Sequence, residues 1–146
     1  MDPVAILGAG SLGRLWAGYL PAGSAVFLSR FSSPKAVPGE PSVIEYRLNH
    51  PEGSQTCCKV GVAHVTAIRP SLLLVTTKAG DTLSALEPVL PGLPETLPVV
   101  LFQNGLGCQQ AVAAQWPDFA ILAASTTEGA NRPEADVLVH AGRGQT

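Results

Sequence analysis

Gly8, Gly10 and Gly13 fall in the run Gly8-Ala9-Gly10-Ser11-Leu12-Gly13, a spacing that can cradle a diphosphate on bare main-chain amides. Gly8 permits a tight turn, Gly10 has no Cβ to hold a phosphate off the backbone, and Gly13 lets a helix lie close to a strand. An anion there meets the unpaired N–H groups at the positive end of the helix. A glycine-rich strand–helix turn with no ligand has the same letters, so the setting decides. The apolar run Val4-Ala5-Ile6-Leu7 precedes the glycines, as a buried parallel strand does. Leu12, Leu15, Trp16, Tyr19 and Leu20 follow at helical spacing, and Pro21-Ala22-Gly23 stops the helix. Ala25 to Leu28 reads as a second strand. The unit occupies about 30 residues, the size of a dinucleotide-binding βαβ motif.

Ser29-Arg30 stands at the end of that second strand, and no acid follows before Glu40. Sites for a free ribose 2′-hydroxyl place Asp or Glu about 20 residues past the glycines. A carboxylate would repel a 2′-phosphate, whereas a guanidinium grips one with two bonds. The expected cofactor is therefore NADPH, with Arg30 on its 2′-phosphate; a solvated strand-end arginine is the plain alternative.

In an open α/β sheet the ligand lies beyond the carboxyl ends of the strands. Three further polar segments are expected there: Thr76-Thr77-Lys78, Gln103-Asn104-Gly105-Leu106-Gly107 and Ser125-Thr126-Thr127-Glu128-Gly129-Ala130. Lys78 can meet a ribose, a phosphate or a substrate anion, or can simply be solvated before a helix. Asn104 offers both donor and acceptor to a ribose hydroxyl or a 2-oxo-acid substrate; an Asn-Gly turn would need the same residue. The serine–threonine run suits a cap as well as a ligand contact. His50, His64 and His140 share no spacing with one another or with an acid, and read as surface or loop histidines rather than catalysts. No Ser-His-Asp or Cys-His constellation is present.

These groups must be held by a domain of 146 residues, enough to bury a core without disulfides or metal. Cys57, Cys58 and Cys108 are odd in number and include an adjacent pair, which argues against a disulfide framework. No Cys-x-x-Cys or Cys/His pattern points to a metal. Net charge is −2 with no basic run, so nucleic acid is not an expected partner. No apolar run reaches the ~18 residues that span a bilayer, and Met1-Asp2-Pro3 does not read as a signal peptide. A reduced, cytoplasmic setting is the expectation. Charged residues are only 14% of the chain, against about 25% ordinarily. The 15 glycines and 13 prolines explain part of that deficit, and a face normally covered by something else would explain the rest.

The remaining elements follow from periodicity. Ser42 to Leu48 and Thr56 to Val65 alternate about the turn Asn49-His50-Pro51-Glu52-Gly53, an inserted antiparallel hairpin. Leu72 to Thr76, Val99 to Phe102, Phe119 to Ala123 and Val137 to His140 read as strands. Asp81 is expected to cap a helix running to about Val89, and Cys108 to Trp116 to form another. The fold class is α/β: a Rossmann-type, doubly wound, mostly parallel sheet with an inserted antiparallel hairpin, in three αβα layers.

In this order the segments resemble the amino-terminal domain of the ketopantoate reductases (2-dehydropantoate 2-reductases). The likeness rests on Gly8 to Gly13, Arg30, Val75-Thr76-Thr77-Lys78-Ala79, Asn104-Gly105-Leu106-Gly107, Ser125-Thr126-Thr127 and a valine-rich hairpin at Val137 to Gly144. It spans essentially the whole chain, and the pairing of the lysine strand with Asn-Gly-x-Gly is more specific than the glycine loop. The resemblance implies that Gly8, Ala9, Gly10, Ser11, Leu12, Gly13, Lys78, Asn104 and Ala130 contact NADPH, and that Asn104 also touches the substrate. It implies hydride transfer to 2-dehydropantoate, giving pantoate for pantothenate and coenzyme A synthesis. Glu128-Gly129-Ala130-Asn131 departs from the His-Ala-Ala-like stretch of many members, which bears on the Ala130 contact. The family's proton-donating lysine belongs to a helical carboxyl-terminal domain, so residues 1–146 are expected to be the cofactor half, with no catalytic residue of its own. The alternatives are the cofactor half of another NADP-dependent 2-oxo-acid or opine dehydrogenase, and a nucleotide-binding module without catalysis. Oligomeric state is not legible.

Overall fold

A computed structural model describes residues 2–29, 42–102 and 107–146. Arg30 and Asn104 lie outside the described residues, as do residues 31–41, read from the sequence as loop, and Gln103, Gly105 and Leu106.

Strand β1 (Val4–Leu7) passes through the glycine loop into helix α1 (Ser11–Tyr19), and β2 (Ala25–Leu28) follows. The inserted hairpin is β3 (Val43–Asn49) and β4 (Gln55–Ala63), paired antiparallel from Val43↔Gly61 to Asn49↔Gln55. Then come β5 (Leu72–Val75), α2 (Thr82–Leu86), β6 (Pro98–Leu101), α3 (Cys108–Gln115) and β7 (Ala120–Ala123). The chain closes with β8 (Gly129–Glu134) and β9 (Val137–Gly142). All nine strands form one sheet in the order β7-β6-β5-β1-β2-β4-β3-β9-β8. From β7 to β4 the strands are parallel, as the short unbroken apolar runs predict. The chain order reverses at β1, which lies between β2 and β5, and that switch point is where such sheets bind ligands.

Period-two alternation divides the core. Ala5, Leu7, Leu73, Val75, Val99 and Leu101 face Leu86, Leu90 and Val112 on the side of α2 and α3. Ile6, Phe27 and Leu74 face Leu15 and Ala17 of α1 on the other side, with Tyr46, Leu48 and Leu138. Helix α1 buries Gly13, Leu15 and Ala17, while Tyr19 stays 43% exposed. Small residues at positions 13 and 17 let it approach the sheet closely, more closely than the larger apolar stripe alone suggests. The far edge of the sheet turns over α1, so that β8 and β9 pack against the helix. Among the described residues no helix is long and apolar enough to cross a membrane, and Cys57, Cys58 and Cys108 are free.

Two local expectations need correction. Asp81 does not cap a helix through its side chain; Ala79–Asp81 is a 3-10 turn, and α2 ends at Leu86 rather than near Val89. Thr82, fully buried, donates instead to the Lys78 carbonyl at 3.0 Å. Pro88 has no N–H for the Ser84 carbonyl, which stops the helix there. The strand β8 carries no alternating pattern, since Gly129-Ala130-Asn131-Arg132-Pro133-Glu134 mixes glycine, proline and charge. It is the outermost strand, where a proline leaves no ladder bond unmade, and its register to β9 shifts twice.

Candidate functional site at the glycine loop

The three glycines occupy three different environments. Gly8 has φ of +112°, and a Cβ there would meet Thr76 Oγ1 at 2.8 Å and the Thr77 nitrogen at 3.0 Å. A Cβ on Gly13 would run into the Gly8 carbonyl oxygen. Gly10 is the reverse case, because among the described residues nothing outside its chain neighbours lies within 4 Å of its Cβ position. Two glycines are thus demanded by packing, and the third faces open space. Among the described residues no side chain caps the start of α1, so its first amides keep their hydrogens for an anion.

The end of β5 buttresses this loop. Thr76 Oγ1 donates to the Gly8 carbonyl at 2.8 Å, and the Thr76 amide donates to Leu7 at 2.9 Å. This accounts for one member of the polar segment Thr76-Thr77-Lys78. Lys78, two residues on, is exposed at the strand end beside β1. Ala130 lies on β8, in the packed group that contains Ala9 and Leu12. The fold thus brings Gly8 to Gly13 and the end of β5 before Lys78 together at the switch point, whereas Ala130 pairs with His140 on the outer hairpin and Arg30 and Asn104 lie outside the described residues.

Two arginines that the spacing did not reveal converge on the loop. Arg14 donates through Nε to the Ala9 carbonyl at 2.8 Å and through Nη1 to Ala135 at 3.1 Å. Its guanidinium stands 5.4 Å from the centre of the Tyr46 ring, and its own carbonyl accepts from the Tyr46 hydroxyl at 2.6 Å. Burial, more than the neighbouring Arg132 charge, lowers the Arg14 pKa. Burial foremost raises that of Tyr46, which is therefore a neutral donor. Arg132 donates to the same Ala9 oxygen at 3.3 Å. These partners are more than 120 residues from the loop, so only the folded sheet edge brings them together.

At the opposite end of α1 the reading of the histidines needs correction. His140 is not a surface residue but 4% exposed, and it does have an acid: its Nε2 lies 2.6 Å from Glu128 Oε2. Its Nδ1 lies 2.6 Å from the Tyr19 hydroxyl, which lies 3.0 Å from His50 Nδ1. His50 Nε2 is 2.7 Å from Thr56 Oγ1. One direction of donation satisfies every group with neutral imidazoles: Thr56 to His50, His50 to Tyr19, Tyr19 to His140, His140 to Glu128. Four separate segments meet in this chain, which fastens the β8–β9 hairpin to the base of α1. His64 has a different task, accepting from the Thr66 amide at 3.2 Å to start a 3-10 turn.

The His140 hydrogen bond is the main reason the Glu128 pKa is lowered. A carboxyl group held lower in the folded than in the unfolded chain adds stability above its unfolded pKa, near 4.3, and loses it as pH falls through the folded value. Glu128→Gln is therefore expected to lower Tm at pH 7, with the gap to the unaltered chain closing below about pH 4. Thermal melts across that range measure it; a gap independent of pH would show that the pair does not carry this stability.

Comparison with known proteins bears on family and fold. The family model described as ketopantoate reductase PanE/ApbA matches residues 4–146. A 2-dehydropantoate 2-reductase of Vibrio cholerae is 33% identical over 98% of this chain, which covers 45% of that protein. The crystal structure of a PanE/ApbA family ketopantoate reductase from Ralstonia eutropha superposes with a TM-score of 0.73 at 24% identity, over 97% of this chain and 47% of that one. D-mandelate dehydrogenase, in a ternary structure with NADH and anilino(oxo)acetate, gives 0.72 at 16% identity over 97% and 46%, a likeness of fold. The chain spans about half the length of the relatives it matches. With the family model covering all but the first three residues, and the glycine loop, lysine strand and closing hairpin on one sheet, the chain belongs to the ketopantoate reductase PanE/ApbA family.

Proposed function

We propose that residues 1–146 are the NADPH-binding half of a 2-dehydropantoate 2-reductase, an enzyme that reduces 2-dehydropantoate to pantoate for pantothenate and coenzyme A synthesis. The observation that carries this reading is the contrast at the loop: Gly8 and Gly13 have no room for a Cβ, whereas Gly10 faces open space at an uncapped helix start. That is the shape a diphosphate needs, and membership of the family supplies the reaction.

The loop from Gly8 to Gly13 holds the diphosphate through main-chain amides, and Arg30 takes the 2′-phosphate. Lys78, Asn104 and Ala130 line the path toward the nicotinamide, with Asn104 also reaching the substrate. The bound cofactor supplies the hydride. Ketone reduction further requires an acid for the developing alkoxide and a cation for the substrate carboxylate. Lys78 alone cannot serve both, so the acid comes from the second, helical half that the resemblance to the family implies. This chain by itself is expected to bind NADPH without measurable turnover, and reduction of 2-dehydropantoate by purified residues 1–146 would contradict that division of labour.

A titration of NADPH and NADH, followed by nicotinamide fluorescence, tests the cofactor assignment. Arg30→Ala should cost about 1.5–3 kcal/mol of NADPH binding, roughly 10- to 150-fold, and little of NADH binding. Equal losses for both would remove Arg30 from the 2′-phosphate, and binding of neither by the unaltered chain would remove the cofactor.

A further inference from the structure

The pair of arginines at the glycine loop does more than pin the hairpin. The Ala9 carbonyl already accepts a 2.8 Å bond from Arg14 Nε, which comes from the helix that follows the loop and is partly buried. The second bond, from the exposed Arg132 at 3.3 Å, is longer and adds little to a carbonyl already paired. It also sets two guanidinium charges beside one another. Among the described residues Lys59–Glu45 and Arg143–Glu52 are ion pairs and Glu128 is taken by His140, and neither Arg14 nor Arg132 has a carboxylate partner. Two like charges with no carboxylate between them are stabilised by an anion, and the residue after the Ala9 carbonyl they share, Gly10, leaves its Cβ position open among the described residues. Arg14 is committed to Ala9, Ala135 and the Tyr46 ring, so it is held in place. Among the described residues Arg132 has one long bond, and its flexible stem stands exposed on an edge strand, so it is the one able to reach.

We infer that Arg132, carried over α1 by the closing hairpin, is a direct contact of the dinucleotide diphosphate, with Arg14 as the fixed charge behind it. This rests on the reading of the cleft as a dinucleotide site, and it gives β8 a binding role that no glycine-loop motif contains. The pair adds charge-assisted bonds to the neutral amides of the helix start. It also makes cofactor affinity depend on the hairpin staying closed.

The test measures dissociation constants of NADPH and of adenosine 2′-monophosphate, which keeps the 2′-phosphate but lacks the diphosphate. Arg132→Met should weaken NADPH by about 10-fold or more, the size of one lost charge-assisted bond, with adenosine 2′-monophosphate unchanged. Arg132→Lys should recover most of the loss, because a single charge still reaches the phosphates. Unchanged NADPH affinity in Arg132→Met overturns the inference while leaving the cofactor reading intact. So does an equal loss for both ligands, or a loss that follows a fall in Tm and is not recovered by lysine, since either assigns Arg132 to packing. Failure of the unaltered chain to bind NADPH would overturn the cleft reading itself.

Discussion

Gly13→Ala is expected to destabilise the domain by about 3 kcal/mol, at the upper end of what one inserted methyl group costs in a packed site. The new Cβ meets backbone first, the Gly8 carbonyl, with the Thr76 hydroxyl at 2.8 Å beside it, and a carbonyl cannot rotate away as a side chain can. Relief requires α1 to lift from β1, which would loosen Leu15 and Ala17 from Ile6 and Leu74 and pull on the Thr76 bond to Gly8. A melt should show Tm lower by roughly 10 °C for a domain of this size, with cofactor binding lost alongside. An unchanged Tm would mean that helix and strand are not in this contact.

Gly10→Ala should do the opposite, leaving the fold and removing the function. Its φ of −81° suits any residue, and its Cβ would stand in open space. The cost to stability should stay within about 1 kcal/mol, that of a less suitable N-cap. The same methyl group occupies the approach to the amides of Ser11 to Gly13, so NADPH affinity should fall by about 100-fold, near 2.7 kcal/mol. Paired measurements of Tm and dissociation constant separate the two variants. If Gly10→Ala binds NADPH as tightly as the unaltered chain, the diphosphate does not pass over this residue.

Much of the sheet is legible because buried parallel strands are short unbroken apolar runs: Val4 to Leu7, Leu72 to Val75 and the stretch from Val99 speak for themselves. The hairpin of β3 and β4 is legible from alternation about Asn49 to Gly53. The edge strand β8 is not, since its last four residues are exposed and include Pro133, and nothing in local periodicity separates an edge strand of that kind from a loop. The same gap hides the site's outer wall. Arg132 is placed by sheet order, and the joining of His140 to Glu128 depends on a return across the turn at Ala135 and Asp136 that sequence spacing does not register. The glycines are the contrasting case, because their roles follow from the absence of an atom, and the type alone records that. Even so, letters do not say which glycine is open and which are packed; the neighbours Thr76 and Gly8 decide it.

The most direct test is a crystal structure of the chain with NADPH. It should show the diphosphate over Gly10 within hydrogen-bond distance of the first amides of α1, and the 2′-phosphate against Arg30. A cofactor bound elsewhere, or a loop whose amides are filled by the protein's own side chains, would contradict the account.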